Sequence, residues 1–274
     1  MKRLKIISIS LALLLLLSLS TSAYAANDLQ TEFLVSIGFP LEVISQMDNE
    51  EVNYVLSLAQ QYDIEYSSFT TAQLNSPTDD NISPFGLIPS SDMTLSVMAL
   101  TIRGTTGTDG RTAIEGINVI ISYEWADGLP RIKKEDAITL NWDNTVFTYK
   151  SFENTEYYCY SYGENGQPIW WSRPSVNDPF DNIQGAVCYY TNLVGTIPDY
   201  DYIKHKGIAS VILVPASPIY VGTDHNTSLN VQYVHDKNPL LLFKPEFIFG
   251  PVSISVQDSA LTDRVSASAL YQYT

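Results

Sequence analysis

MTLSVMALTIR at residues 93–103, INVIISYEW at 117–125, GIASVILVP at 207–215 and LNVQYVHD at 229–236 decide the fold class. These stretches are rich in β-branched and aromatic residues, and in many of them apolar and polar residues alternate. Residues 93–274 contain about nine such segments, separated by turn-forming residues and without a helical pattern between them. We therefore predict an all-β domain, an antiparallel sandwich or a barrel-like sheet.

The preceding segment, residues 26–66, has a different pattern. Apolar residues recur there at the spacing of one helix face, Asp28 is suited to begin a helix and Gly38 to end one. Asp48 and Glu51 have the three-residue spacing of a capping box. We predict a small N-terminal helical unit, too short to enclose much of a core by itself.

Two further segments complete the expected organisation. Residues 1–25, MKRLKIISISLALLLLLSLSTSAYA, have the basic start, apolar centre and small final residues of a secretory signal peptide, cleaved after Ala25. The apolar run of about 12 residues is shorter than the roughly 20 needed to span a bilayer. We expect no transmembrane segment after cleavage. Residues 67–92, rich in Ser, Thr, Asn, Asp and Pro without a period, are predicted to be a linker.

Composition excludes some classes of function. Charged residues make up 16% of the chain, and the formal net charge is −15. A nucleic-acid-binding protein needs a basic surface, so we expect no nucleic-acid partner. The 18 tyrosines, 10 phenylalanines and 4 tryptophans favour a folded protein over a disordered one.

The two cysteines, Cys159 and Cys188, both lie in segments with strand-like sequence, in the part of the chain expected to be exported. An even number of cysteines in an oxidising compartment favours a disulfide, and we predict a bridge between them. Two buried thiols are the alternative.

The three histidines, His205, His225 and His235, fall within one short window. Three imidazoles can bind zinc, but no H-x-H or H-E-x-x-H pair fixes two of them on one face. They are weak candidates, and we predict no metal site and no cofactor. G-x-S-x-G and a helical S-x-x-K are also missing from the sequence, which disfavours a hydrolase without excluding it.

Trp170 and Trp171 are adjacent and lie between turn-forming segments. Neighbouring residues of a strand point to opposite faces, so at most one of the two rings can be buried in the core. Exposed aromatic rings stack on sugars and peptides. We predict a ligand-binding surface formed by Trp170, Trp171 and Tyr162. Burial of the second ring under a loop is the alternative.

Two long segments and three short ones carry a resemblance: FLVSIGFPLEVISQMDNEEV at residues 33–52, ISYEWADGLPRIKKEDAITLNW at 121–142, and YTNL, HKGIASVIL and VQYVHD at 190–193, 205–213 and 231–236. In these the chain resembles a group of uncharacterised exported proteins of Gram-positive, spore-forming bacteria. The resemblance implies export and a β-rich body. It implies no activity, cofactor or catalytic residue.

These observations predict a secreted or cell-surface binding protein of unknown ligand, with a cell-wall polymer or an extracellular protein as its partner. The alternative is a secreted hydrolase acting on a polysaccharide or a peptide. Convergence of the three histidines, or of two carboxylates in a cleft, would favour the hydrolase.

Overall fold

The computed structural model describes residues 23–72, 86–88, 92–125, 135–162, 167–174, 185–192, 202–223, 225–236, 247–249, 254–256 and 262–273. For parts of these strands, including 154–162 and 167–174, the description is of the backbone alone. The chain divides into two compact units, residues 1–66 and 67–274. The predicted signal peptide lies outside the described residues except for its last three residues. None of the described helices is long and apolar enough to cross a membrane.

In the described residues of the first unit, from 23 onward, there are three helices, α1 (Ala23–Ser36), α2 (Leu41–Ile44) and α3 (Asn49–Ala59). Gly38 ends α1 with φ of 95°, a conformation that glycine adopts without strain. Its N–H and that of Phe39 donate to the carbonyls of Val35 and Leu34, as in a Schellman motif. The predicted helical unit is confirmed, although α1 begins at Ala23 and not at the predicted cap, Asp28.

The predicted capping box is present at the start of α3. Glu51 N–H donates to Asp48 Oδ1 over 2.8 Å, and Asp48 N–H donates to Glu51 Oε2 over 2.9 Å. Val55 and Leu58 are the buried residues of the helix. Two backbone donors at the helix start are therefore satisfied by side chains three residues away.

The strands form two main sheets and one short pair. The seven-stranded first sheet has the order β1–β3–β4–β9–β6–β7, with β10 also paired to β4. Its strands are β1 (Asp63–Thr71), β3 (Met93–Thr106), β4 (Thr112–Trp125), β6 (Phe147–Tyr162), β7 (Gln167–Pro174), β9 (Tyr202–Pro215) and β10 (Ile219–Tyr220).

The five-stranded second sheet has the order β2–β14–β11–β5–β8. Its strands are β2 (Gly86–Leu87), β5 (Glu135–Asn141), β8 (Ala186–Asn192), β11 (His225–Asp236) and β14 (Thr262–Tyr273). β12 (Phe247–Phe249) pairs with β13 (Ile254–Val256). Every strand pairing among the described residues is antiparallel except the short one between β2 and β14.

The hydrophobic core lies between the two main sheets. The strand register decides which core residues lie side by side. Leu95 on β3 lies opposite Tyr123 on β4, and Tyr233 on β11 lies opposite Ile138 on β5. All four side chains belong to the same core cluster. Two antiparallel sheets that share a core form a sandwich, which confirms the predicted fold class.

The middle of the first sheet is buried on both faces. β3 is buried without a break from Leu95 to Ile102, and Met98, Ile120 and Ile208 lie in the rows that alternate with the core rows. A strand that is covered on both faces does not need alternating polar residues, which explains why the sequence of β3 is almost continuously apolar.

Two elements differ from the predicted boundaries. β1 begins at Asp63, inside the segment expected to be helical, and runs to Thr71, inside the expected linker. β2 also lies within that linker. In β1, DIEYSSFTT, the aromatic and β-branched residues favour an extended chain, and Ala72 N–H donates to the carbonyl of Leu95 on β3.

Candidate functional site

A buried polar cluster lies where four strand ends meet at one end of the sandwich core. Trp125 ends β4 and lies opposite His205, near the start of β9. On the second sheet, Asp136 is near the start of β5 and His235 near the end of β11. All four side chains are buried. They come together because an antiparallel strand ends where its neighbour begins.

Asp136 is the carboxyl group at the centre of this cluster. Its carboxylate is fully buried, with 0% relative exposure. The Tyr233 hydroxyl donates to Oδ2 over 2.7 Å, and Nδ1 of His235 lies 2.9 Å from Oδ1 and 3.1 Å from Oδ2. A buried carboxylate is costly unless such donors replace its water. The tyrosine and the histidine supply that replacement.

Trp125 connects the cluster to the other sheet. Its Nε1–H donates to the Tyr233 hydroxyl over 2.9 Å, so one hydroxyl accepts from the first sheet and donates to Asp136 on the second. The Trp125 ring also meets the rings of Tyr233 and His235 edge to face, with centroids 5.9 and 5.5 Å apart. Edge-to-face pairs of this kind add to the packing energy of the rings.

His205 is the second histidine of the cluster. Its ring meets that of Tyr123 edge to face, with centroids 5.5 Å apart. Gly207, opposite Tyr123 in the register, leaves room for the tyrosine, since a Cβ there would lie 2.5 Å from the Tyr123 hydroxyl oxygen. Burial lowers the pKa of His205 from 6.5 to about 3. The ring is therefore neutral at neutral pH.

The row that contains Trp125 and His205 continues to the edge of the first sheet. Tyr158 on β6 lies opposite His205, and Trp171 on β7 lies opposite Tyr158. Trp170 belongs to the neighbouring row, opposite Cys159. The backbone of the predicted Trp pair is thus a strand, and the side chains of Trp170, Trp171 and Tyr162 lie outside the described part.

The Asp136–His235 pair resembles in one respect the orienting pair of nucleophilic hydrolases, in which a carboxylate accepts from Nδ1. Such an enzyme also needs a nucleophile at Nε2. The hydrogen bonds described for His235 run from Nδ1 to Asp136, and they include no nucleophile at Nε2. The described contacts join β4, β5 and β11 and hold the two sheets together.

The three histidines do not converge, so they are not the ligands of one metal site. His225 lies opposite Tyr273 at the start of β11, ten residues before His235. At about 3.3 Å per residue, the two positions are about 33 Å apart along the strand. Within the described ranges, no group of three His, Cys, Asp or Glu side chains is placed to hold a metal ion.

Of the two cysteines of the predicted disulfide, the structure describes the side chain of Cys188, which is buried. Cys188 follows Val187, which lies in the core opposite Leu140. Cys188 therefore belongs to the rows of the second sheet that alternate with the core rows. Cys159 lies opposite Lys204, in the alternate rows of the first sheet. The side chain of Cys159 lies outside the described part, so the bridge stays a prediction.

Sequence reasoning missed Asp136, Tyr233 and Trp125. A signal for Asp136 was present, because it alternates with Ile138 and Leu140 and therefore lies on the core side of its strand. A carboxylate at such a position requires a buried donor. His235 alternates with Tyr233 in the same way, but nothing in the sequence indicates that β5 and β11 are neighbours.

Comparison with protein-family models and with curated proteins gives no match. Among solved structures, the C-terminal domain of AspA, an antigen I/II-family protein of Streptococcus pyogenes, matches 73% of this chain at 8% identity with a TM-score of 0.29. A structure named BspA_C_mut matches 64% at 9% identity with a TM-score of 0.31. The chain spans 45% and 54% of those two chains. At these TM-scores the similarity carries no conclusion about function.

Proposed function

We propose that this protein is exported and acts outside the cell, or on its surface, as a binding protein that contacts its ligand through the hairpin of β6 and β7. The observation that carries the proposal is the place of Trp170 and Trp171 in β7, the last strand of the first sheet. Aromatic rings are rigid and apolar, so they gain much contact area at little entropic cost when a ligand covers them.

Two prolines favour binding by side chains over addition of a strand. Pro168 and Pro174 are the second and last residues of β7. Positions 168, 170, 172 and 174 are alternate residues of this strand, so their backbone N–H positions face the same edge. Proline is found in edge strands where its position faces the free edge, since it has no N–H to donate. The free edge of β7 then offers N–H donors only at Trp170 and Ser172, too few for a long added strand.

The alternative, a secreted hydrolase, depends on converging catalytic groups. His225 lies at the other end of β11 from His235. No observation on the described residues favours the hydrolase, and it is not developed further.

The test uses protein secreted by cells that express the full chain. Its intact mass should match a start at Ala26. The secreted protein should sediment with isolated cell walls or be retained by an immobilised fraction of extracellular proteins. The double variant Trp170→Ala/Trp171→Ala should lose this binding. Leu270→Ala, which removes an exposed apolar side chain from the second sheet, is the matched control and should bind normally.

A protein that stays in the cell, or that binds neither fraction, would contradict the proposal. Loss of binding in the control variant as well would show that the effect is not specific to the hairpin.

A further inference from the structure

We infer that the helical unit carries a second docking surface, which takes a basic amphipathic segment of another protein. The surface is formed by the exposed side of α1 and the exposed residues of α2, and we call it the α1–α2 face. It consists of Asp28, Leu29, Glu32, Val35, Leu41 and Glu42. Two independent observations support the inference: the exposure of apolar side chains, and the charge of the segment that carries them.

The α1–α2 face exposes apolar side chains to solvent. Leu29 and Val35 are each 46% exposed, and Leu41 is 64% exposed. They are three of the five large apolar side chains that are exposed in the described part of the chain. Single exposed apolar residues are ordinary on a protein surface, whereas several in one short segment indicate an interaction site.

The period of the helix places two of these residues on one side of α1. Successive residues of an α-helix are about 100° apart, so Leu29, Glu32 and Val35 lie within about 120° of arc. Asp28 belongs to the same arc and is also exposed. Leu34 is fully buried and lies on the opposite side of the helix. The exposed apolar residues of α1 are therefore separate from the core of the helical unit, and carboxylates accompany them.

The exposed residues of α2 extend this side of α1. The turn at Gly38 joins the two helices, and the Gly38 N–H donates to the carbonyl of Val35. Leu41 is the first residue of α2 and follows this turn closely. Leu41 and the exposed Glu42 repeat the combination found on α1, an apolar side chain beside a carboxylate.

The segment that carries the α1–α2 face has no basic side chain. Residues 26–66 contain eight aspartates and glutamates and no lysine, arginine or histidine. After Lys5, the next lysine or arginine of the chain is Arg103. The carboxylates of this segment therefore have no basic side chain within it as a partner. Such a surface attracts cationic partners and repels nucleic acids and anionic lipids.

Together the apolar and acidic side chains specify the chemistry of the partner. A partner that covers Leu29, Val35 and Leu41 gains affinity only if it presents an apolar surface of its own. It also needs cations beside that surface, because covering a carboxylate without a cation costs free energy. A protein segment with apolar residues on one side and lysine or arginine along its margins meets both needs. A metal ion or a purely polar cationic polymer would leave the apolar side chains uncovered.

The experiment measures the binding of three fluorescently labelled peptides to the protein purified from cells that express the full chain. The first peptide is a leucine–lysine helix with all its leucines on one side. The second has the same composition in scrambled order, and the third has glutamate in place of lysine. The wild-type protein should bind the first peptide about tenfold more tightly than the second, and it should not bind the third. Binding of the first peptide should weaken as salt increases.

An apolar variant tests the contribution of Leu29 and Val35. Leu29→Gln/Val35→Gln removes both exposed apolar side chains and introduces a residue that is well tolerated in helices. It should weaken binding of the first peptide about tenfold, with an unchanged melting temperature. Leu270→Gln, which removes an exposed apolar side chain from β14, is the matched control and should bind normally.

A charge variant tests the contribution of the carboxylates. Glu32→Gln should weaken binding of the first peptide about threefold and reduce its salt dependence. Asp109→Asn removes one exposed carboxylate between β3 and β4 and should bind normally. Its amide oxygen can still accept from the Arg111 N–H, as the carboxylate does. If the double variant melts lower than the wild type, Glu32→Gln decides, because an exposed glutamate contributes little to packing.

Several outcomes would overturn the inference. Equal binding of the first and second peptides would mean that net charge alone attracts them. Unchanged binding by the folded Leu29→Gln/Val35→Gln variant, or equal weakening in the two controls, would place the contact elsewhere. A wild-type protein that binds none of the peptides also overturns it. These outcomes leave the proposed function intact, since that function depends on Trp170 and Trp171 and is tested by the sedimentation and retention experiments.

Discussion

Trp125 of the first sheet donates a 2.9 Å hydrogen bond to the hydroxyl of Tyr233 on the second sheet. The same hydroxyl donates to Asp136 over 2.7 Å. A single phenolic oxygen therefore satisfies a buried indole N–H and a buried carboxylate at once. Such a link is sensitive to the loss of one atom, because removing the oxygen leaves both partners without this bond in a dry environment.

Tyr233→Phe should lower the free energy of unfolding by about 2–4 kcal/mol, since it removes two buried hydrogen bonds and leaves the Trp125 N–H and the Asp136 oxygen without them. Urea unfolding followed by tryptophan fluorescence measures the change. Tyr220→Phe, at a half-buried position whose ring lies under Arg111, is the control and should change stability by less than about 0.5 kcal/mol. Equal effects of the two variants would mean that the buried hydroxyl contributes nothing.

The Asp136–His235 pair should show strong energetic coupling. Asp136→Ala and His235→Ala should each destabilise the protein by about 3–5 kcal/mol, because each deprives a buried polar group of a hydrogen-bond partner that water cannot replace. The double variant should cost less than the sum, with a coupling energy of about 1–3 kcal/mol in a double-mutant cycle.

The exposed pair of Asp109 and Arg111, 4.0 Å apart, is the comparison for this cycle. Its coupling should be at most about 0.5 kcal/mol, as for other solvent-exposed pairs. Additive effects of the two buried substitutions would contradict a direct contact between Asp136 and His235.

Stability should fall on acidification because of His205. Its pKa is about 3 in the folded protein and 6.5 in the unfolded reference. Between these values the unfolded chain binds a proton that the native protein does not, so the free energy of unfolding falls with pH by up to about 1.4 kcal/mol per unit. Above pH 6.5 the full contribution is present.

His205→Leu removes the titrating group and keeps an apolar side chain of similar size. Urea unfolding at several pH values between 7 and 4 should show a shallower pH dependence for this variant, by about one proton. Parallel pH profiles of variant and wild type would show that His205 titrates alike in both states.

Gly207→Ala should destabilise the protein by about 1–3 kcal/mol, since the added methyl group must displace the ring of Tyr123. Gly107→Ala is a suitable control. The close contact of its new methyl would be with the carboxylate end of the exposed Asp109 side chain, which can move, and the Arg111 carbonyl oxygen at 3.7 Å is an ordinary van der Waals neighbour. Thermal unfolding of the two variants measures the difference, and similar melting temperatures would contradict the close packing of Tyr123 over Gly207.

The sequence by itself determined the features that depend on near neighbours in the chain. The capping box of Asp48 and Glu51 and the end of α1 at Gly38 involve residues within a few positions of each other, so local chemistry is enough to predict them. The all-β character follows in the same way from the residue types within each strand.

Tertiary structure decided the features that join distant parts of the chain. Asp136 and His235 are 99 residues apart, and Trp125 and Tyr233 are 108 apart. Their contact depends on β5 lying beside β11 and on the packing of the two sheets, which no local pattern specifies.

The same reason explains why the sequence leaves the Cys pair and the Trp pair open. A disulfide between Cys159 and Cys188 depends on the faces that the register assigns to them. Alternation shows that Trp170 and Trp171 lie on opposite faces, but only the register with β6 and β9 places Trp171 in the row of His205. A strand that shifts by one residue exchanges its two faces, so the pairing of strands, and not their composition, decides which side chain enters the core.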